Sequence, residues 1–138
     1  GVRADLEVAV YHYKMAAEYG KPLALYKIGQ FIEKGVIPYN TKKELIEQMF
    51  ENYTNAIEAG SIEAKIRIAQ IYEKGEYGVV VDKKKALQLY QDAADHEEAM
   101  NSIGFFLYER GDLKRAADFF RKSADKGNAT GLNNLGTC

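Results

Sequence analysis

The sequence has a single cysteine, Cys138 at its last position, so no internal disulfide can form. That excludes the small secreted folds stapled by several disulfides, without fixing the redox compartment. Proline occurs only twice, as expected of a chain that is mostly helical. No apolar run approaches the roughly 18 residues that a membrane span needs, which argues against direct membrane insertion. The opening residues Gly1-Val2-Arg3-Ala4-Asp5 lack the apolar stretch of a signal peptide. Neither sign of charge dominates: 19 Lys and Arg face 20 Asp and Glu, for a formal net charge of -1. Nucleic acid or an anionic membrane surface would call for a basic excess or a long basic stripe, so no nucleic-acid partner is expected.

What remains is an ordinary domain of 138 residues, 46% hydrophobic and 28% charged, long enough to bury a sizeable core. Its 12 glycines are many, and their positions have an explanation. Four segments repeat. Ala16-Ala17-Glu18-Tyr19-Gly20 is followed by Ala24, Ile28-Gly29 and Gly35. Ala56-Ile57-Glu58-Ala59-Gly60 is followed by Ala64, Ile68-Ala69 and Gly75. Ala93-Ala94 is followed by Ala99, Ile103-Gly104 and Gly111. Ser123-Ala124-Asp125-Lys126-Gly127 is followed by Gly131 and Leu135-Gly136. The small residue after the Ile or Leu recurs at 29, 69, 104 and 136, at spacings of 40, 35 and 32. Such a unit suits one helical hairpin.

The punctuation agrees. Gly20, Gly35, Gly60, Gly75, Gly111 and Gly127 each follow a helical stretch, where a left-handed residue ends a helix cheaply. Pro22 is placed to open a helix. Thr41 with Glu44 reads as a capping box, and Asp5, Ser61, Asp82, Asp112 and Asn128 are placed as N-caps. Gly29, Gly104 and Gly136 fall inside helices, where glycine costs about 1 kcal/mol against alanine. Close helix approach within the hairpin accounts for them, with Ala69 in the same slot. The pattern predicts helices over roughly 5–19, 22–34, 42–59, 62–74, 83–95, 97–110, 113–126 and 129–138, with apolar positions recurring at three and four. The stretch 77–81 lies between a glycine stop and the Asp82 cap and reads as an extended loop.

Gly1-Val2-Arg3-Ala4-Asp5 with Ala9, Tyr13 and Ala16-Ala17-Glu18-Tyr19-Gly20 resembles the signature of Sel-1-like repeats. Gly78-Val79-Val80-Val81-Asp82, Lys85-Ala86, Tyr90 and Ala93-Ala94 match it again. Two copies are good and two degenerate: the unit at Gly111–Ala116 has a short turn and drifts toward the tetratricopeptide pattern. The unit at Asp95-His96-Glu97-Glu98 lacks the usual glycine, and Val36-Ile37-Pro38-Tyr39-Asn40 replaces the Gly-Val-Asp loop. The resemblance implies an all-α solenoid of antiparallel helix pairs in a right-handed superhelix, with residues 1–138 forming about four hairpins of one array. Both ends interrupt a repeat and no polar capping element is visible, so the stretch reads as part of a longer array. Apolar helix faces exposed at such ends would admit end-to-end self-association.

No constellation of groups suggests catalysis. His12 and His96 lie on different hairpins, and one terminal cysteine with two separated histidines falls short of a zinc site. Gly75-Glu76-Tyr77-Gly78 lacks the lysine of a phosphate-binding loop. Asp95 with Glu97 and Glu98 suits a helix start that favours negative charge. Lys83-Lys84-Lys85 opens a helix and reads as a solvated face. No cofactor, metal site or catalytic residue is therefore expected. Asn52-Tyr53-Thr54 and Asn128-Ala129-Thr130 fit the glycosylation pattern at a frequency chance would supply.

Tyr13, Tyr53, Tyr72 and Tyr90 sit at repeat-core positions and read as packing. By analogy with tetratricopeptide arrays, whose first helices line the inner surface, the residues flanking each Ile-Gly step should face the concave wall. They are Tyr26, Gln30 and Glu33; Ile66, Gln70 and Glu73; Asn101 and Phe105; and Asn133. Amide side chains with a few aromatic anchors suit an extended peptide or a partner helix, although Ile66 and Phe105 could instead pack against a neighbouring helix. The resemblance implies a protein-binding scaffold or adaptor and not an enzyme, as in adaptors of endoplasmic-reticulum degradation complexes, activators of chitin synthase and bacterial proteins that contact host factors. The alternative is a regulatory repeat region appended to a catalytic domain outside this chain. The cysteine-rich branch of the family, associated with penicillin-type ligands, is disfavoured because its paired cysteines are absent.

Overall fold

The computed structural model describes residues 1–127. They form seven α-helices, one 3-10 turn and no strand: α1 (Val2–Glu18), α2 (Pro22–Glu33), α3 (Lys42–Glu58), α4 (Ile62–Lys74), the 3-10 turn Glu76–Gly78, α5 (Lys83–Asp92), α6 (Glu97–Glu109) and α7 (Leu113–Asp125). The expected all-helical architecture is what the chain adopts. The helix expected over 129–138, with Asn128, Asn133 and Gly136, lies outside the described residues. The chain divides into two compact units, Gly1–Ala64 and Lys65–Cys138, with the break inside the first turn of α4.

The helix boundaries follow the local chemistry. All six glycines expected to stop helices have positive φ, from 68° at Gly75 to 105° at Gly60. Thr41 Oγ1 accepts from the Glu44 amide at 3.1 Å, Ser61 Oγ from the Ala64 amide at 3.1 Å, Asp82 Oδ1 from the Lys85 amide at 3.0 Å and Asp112 Oδ1 from the Arg115 amide at 3.2 Å. Each satisfies a helix N–H that would otherwise have no intrahelical partner.

Three details differ from expectation. The first helix starts at Val2, so Asp5 is not its cap; Asp5 lies in the first turn and its amide donates to the Gly1 carbonyl at 3.1 Å. Helix α5 stops at Asp92, three residues early, because without a glycine the chain leaves through a turn in which the His96 amide bonds the Ala93 carbonyl at 3.0 Å. Residues 76–78 coil into a 3-10 turn, and only from Val79 is the chain extended. Arg67 holds that turn through a 2.9 Å ion pair with Glu76, and Tyr77 takes a positive φ of 58°, which is uncommon for a non-glycine residue.

In the first unit, α2 packs between α1 and α3. Met49, Tyr53 and Ala56 of α3 are completely buried, and Ala24, Ile28, Gly29 and Ile32 of α2 face the same interior. Helix α1 has no buried residue, and Val8, Tyr11, Met15 and Tyr19 leave an exposed apolar stripe along it. In the second unit, α6 packs against both α5 and α7. Its core joins Ile66 and Ala69 of α4, Ala86 and Tyr90 of α5, and Ala99, Ile103 and Phe106 of α6.

The interior glycines have the reason assigned to them. A Cβ on Gly29 would lie 2.5 Å from Tyr53 Cε1, and one on Gly104 would lie 2.6 Å from Phe120 Cε1. In both hairpins a fully buried ring of the second helix occupies the space that a side chain on the first would need.

Candidate functional site

The residues expected to form a binding strip lie on α2, α4 and α6, the helices that carry the small-residue step. On α2, Tyr26, Gln30 and Glu33 share one face at helical spacing. Gln30 Nε2 donates to the Tyr26 hydroxyl at 2.8 Å. The Tyr26 ring packs on that of Tyr53 with centroids 5.9 Å apart, and Glu33 accepts from the Tyr53 hydroxyl at 2.7 Å. These three side chains are thus held together and anchored to α3.

In the second unit the expected residues divide. Ile66 is only 3% exposed and belongs to the core with Ala69 and Tyr90. It is withdrawn from the strip: an aliphatic chain at this position gains more from burial than from water. Gln70 is half-buried and accepts from Arg67 Nη1 at 3.3 Å. Asn101 is half-buried, and Phe105 is 47% exposed. Asn133 lies outside the described residues.

Glu73 is half-buried, and removal from water raises its carboxyl above the ordinary 4.5. Glu109 adds to the rise, while Lys74, Lys83 and a hydrogen bond with Tyr90 oppose it. Burial pushes the Tyr90 phenol well up, with the Glu73 carboxylate adding to the rise, and keeps it neutral.

Tyr53, expected only to pack, therefore has a second, polar role. Glu33 and Glu73 both stand four residues after the small residue of the step, at Gly29 and Ala69; Glu33 accepts from the buried Tyr53 of the following helix, and Glu73 interacts electrostatically with the buried Tyr90. That shared spacing was the available signal. His96 was missed as well: its Nδ1 accepts from the Glu98 amide at 3.3 Å, capping α6. His12 is exposed and stacks edge-on with Tyr11 at 5.6 Å. Of the basic run, Lys83 reaches Glu109 at 3.9 Å, and Lys85 lies over the Tyr72 ring at 4.4 Å. Among the described residues no three His, Cys, Asp or Glu gather where they could hold a metal ion. No described helix is long and apolar enough to cross a membrane.

The paired helices, the small-residue step and the ring that fills it recur along the chain, and the sequence profile of the Sel1 repeat matches residues 1–20, 22–43, 62–98 and 97–128. The chain belongs to the Sel1 repeat family. No match was found among curated proteins. Among solved structures, a Sel1 repeat protein from Oxalobacter formigenes is similar, with a TM-score of 0.79 and 28% identity over 96% of this chain and 54% of that one. The c5321 protein, a protective antigen of uropathogenic Escherichia coli strains with an SLR fold, has a TM-score of 0.78 and 25% identity over 93% of this chain and 28% of its own. The chain thus spans about half the length of the first and under a third of the second. Sel1 repeat proteins are generally helical scaffolds for protein–protein interaction, bind protein partners and are typically non-catalytic.

Proposed function

We propose that this Sel1 repeat chain is an adaptor that holds a protein partner through side chains of its small-residue helices: Tyr26, Gln30 and Glu33 of α2 in the first unit, and Gln70, Glu73, Asn101 and Phe105 of α4 and α6 in the second. The observation that carries the reading is Phe105. A phenylalanine 47% exposed in mid-helix, beside the buried Gly104 and Phe106, presents apolar surface that the hairpin does not use. Aromatic anchors of this kind dominate the energetics of many interfaces. In the first unit the Gln30–Tyr26 bond fixes two side chains in advance, lowering the ordering cost of binding. Nothing in the reading requires chemistry on the partner.

The test is a pull-down from lysate with the parent chain beside a Tyr26→Ala, Phe105→Ala double variant of matched helicity and melting behaviour. A partner held by the parent and lost from the variant supports the strip. A partner held equally by both removes it as the binding surface.

A further inference from the structure

The second unit carries a recess that the strip does not use. Helices α5, α6 and α7 enclose about 190 Å³. It is lined by the buried Ile103 and Phe106, the half-buried Leu87 and Phe119, and the exposed Gln91, Arg110 and Arg115. It lies on the other side of α6 from Phe105, since Phe105 and the lining residue Leu107 are about 200° apart around the helix.

Two properties define what fits. The volume is below the roughly 300–1,000 Å³ typical of pockets for whole small molecules, and it matches one bulky side chain. The charged lining residues, Arg110 and Arg115, are both cations. The Arg110 guanidinium has no ion-pair or hydrogen-bond partner among the described residues. Among the described residues Arg115, 66% exposed, pairs with Asp112, the cap of its own helix, at 3.7 Å. Lys122 adds a third cation, 5.2 Å from the centre of the Phe119 ring, and the nearby Asp118 is engaged by Arg121 at 3.8 Å.

The recess is not a property of every hairpin. Aligned on Gly104 with Gly29 and on Phe120 with Tyr53, Arg110 corresponds to Gly35, Arg115 to Gln48 and Phe119 to Asn52. In the first unit the Asn52 amide instead donates to the Gln48 carbonyl at 2.8 Å. The cationic edge and the aromatic wall are therefore found together at the α6–α7 hairpin and not at its counterpart.

We propose that this recess is a second binding site, for an acidic peptide segment that inserts one leucine-sized side chain between α5 and α7 while its carboxylates pair with Arg110 and Arg115. The guanidinium fork suits carboxylates in two-point contact, and the exposed Gln91 amide can bond the peptide backbone. The site does not rest on the strip that includes Phe105 and can stand if that strip fails.

The experiment is an NMR titration of the isotopically labelled full chain with three blocked probes: Glu-Glu-Leu-Glu-Glu, Glu-Glu-Ala-Glu-Glu and Lys-Lys-Leu-Lys-Lys. The first should saturably shift the amides of Gln91, Ala94, Leu107 and Phe119. The alanine probe should bind about tenfold more weakly or worse, because the buried side chain is truncated, and the lysine probe should not shift those amides. Arg110→Glu with Arg115→Glu, both at exposed positions, should abolish binding of the acidic probe. Ala94→Leu, checked for unchanged melting, should block the recess with the cations intact. Equal affinity for the leucine and alanine probes would reduce the site to simple ion attraction and overturn the proposal. So would unaltered binding by either variant, or no saturable shift at these amides.

Discussion

Tyr53 in α3 and Phe120 in α7 occupy the same place in two hairpins. Both are fully buried, and both lie against a glycine that could not carry a Cβ without meeting the ring. They differ by one hydroxyl. Tyr53 gives its proton to Glu33, four residues after Gly29; four residues after Gly104 stands Tyr108 and not an acid, and there the buried ring is phenylalanine. The hydroxyl and its acceptor are present together or absent together, as expected when an unpaired buried polar group costs more than the bond returns. In the α4–α5 hairpin the buried ring is again a tyrosine, Tyr90, and an acid, Glu73, again stands four residues after the small residue, here Ala69. Ring shape is thus common to all three hairpins, and polar pairing is a separable addition.

The largest effects should come from the shared part. Tyr53→Ala and Phe120→Ala should each destabilise by about 3–5 kcal/mol in urea unfolding through the cavity they leave, with Tyr53→Ala the larger by roughly the 1.5–3 kcal/mol of its hydrogen bond to Glu33. A difference much wider than that would place the polar bond above the packing. Next come Gly29→Ala and Gly104→Ala. Alanine should gain about 1 kcal/mol of helix propensity, but overpacking against a ring that is fully buried costs about 1–3 kcal/mol. Net destabilisation of both is expected, and stabilisation of either would show that the rings can yield.

A sharper probe transplants the polar pair. Phe120→Tyr alone should cost about 1–3 kcal/mol as an unpaired buried hydroxyl, and adding Tyr108→Glu should recover most of it. In the reverse direction, Tyr53→Phe should cost about 1.5–3 kcal/mol, the range for a hydrogen bond to a charged group. If Tyr108→Glu gives no recovery, the spacing does not define the pair.

The smallest effect concerns pH at Glu73, whose carboxyl is raised above 4.5 mainly by burial. Below 4.5 both folded and unfolded forms are protonated. As pH rises past 4.5 the unfolded chain ionises first, so the folded state binds more protons and stability falls until the folded carboxyl ionises as well. Glu73→Gln should remove this fall, matching the parent in acid and exceeding it at neutral pH. A variant less stable than the parent at neutral pH would mean that the Tyr90 bond outweighs the desolvation.

Much of this architecture was legible in the sequence because it is fixed locally. The six glycine stops and the caps at Thr41, Ser61, Asp82 and Asp112 act within a turn of themselves, and Gly29 and Gly104 mark close approach by lacking a side chain. The misses depend on neighbours that no local pattern identifies. Ile66 shares a helical position with Tyr26 and Asn101, and only the packing of α4 onto Tyr90 decides that it is buried. His96 acts as a cap although histidine is not among the preferred cap residues. The Arg67–Glu76 pair that shapes the 3-10 turn joins residues nine apart, through a side chain that reads as ordinary helix surface.

The claim that the strip is where a partner sits is tested most directly by replacing Phe105, and separately the 84%-exposed Val80, with a photoreactive phenylalanine analogue and irradiating in lysate. The partner recovered by the parent chain should crosslink at position 105 and not at position 80. Crosslinking at 80 with none at 105 would contradict it.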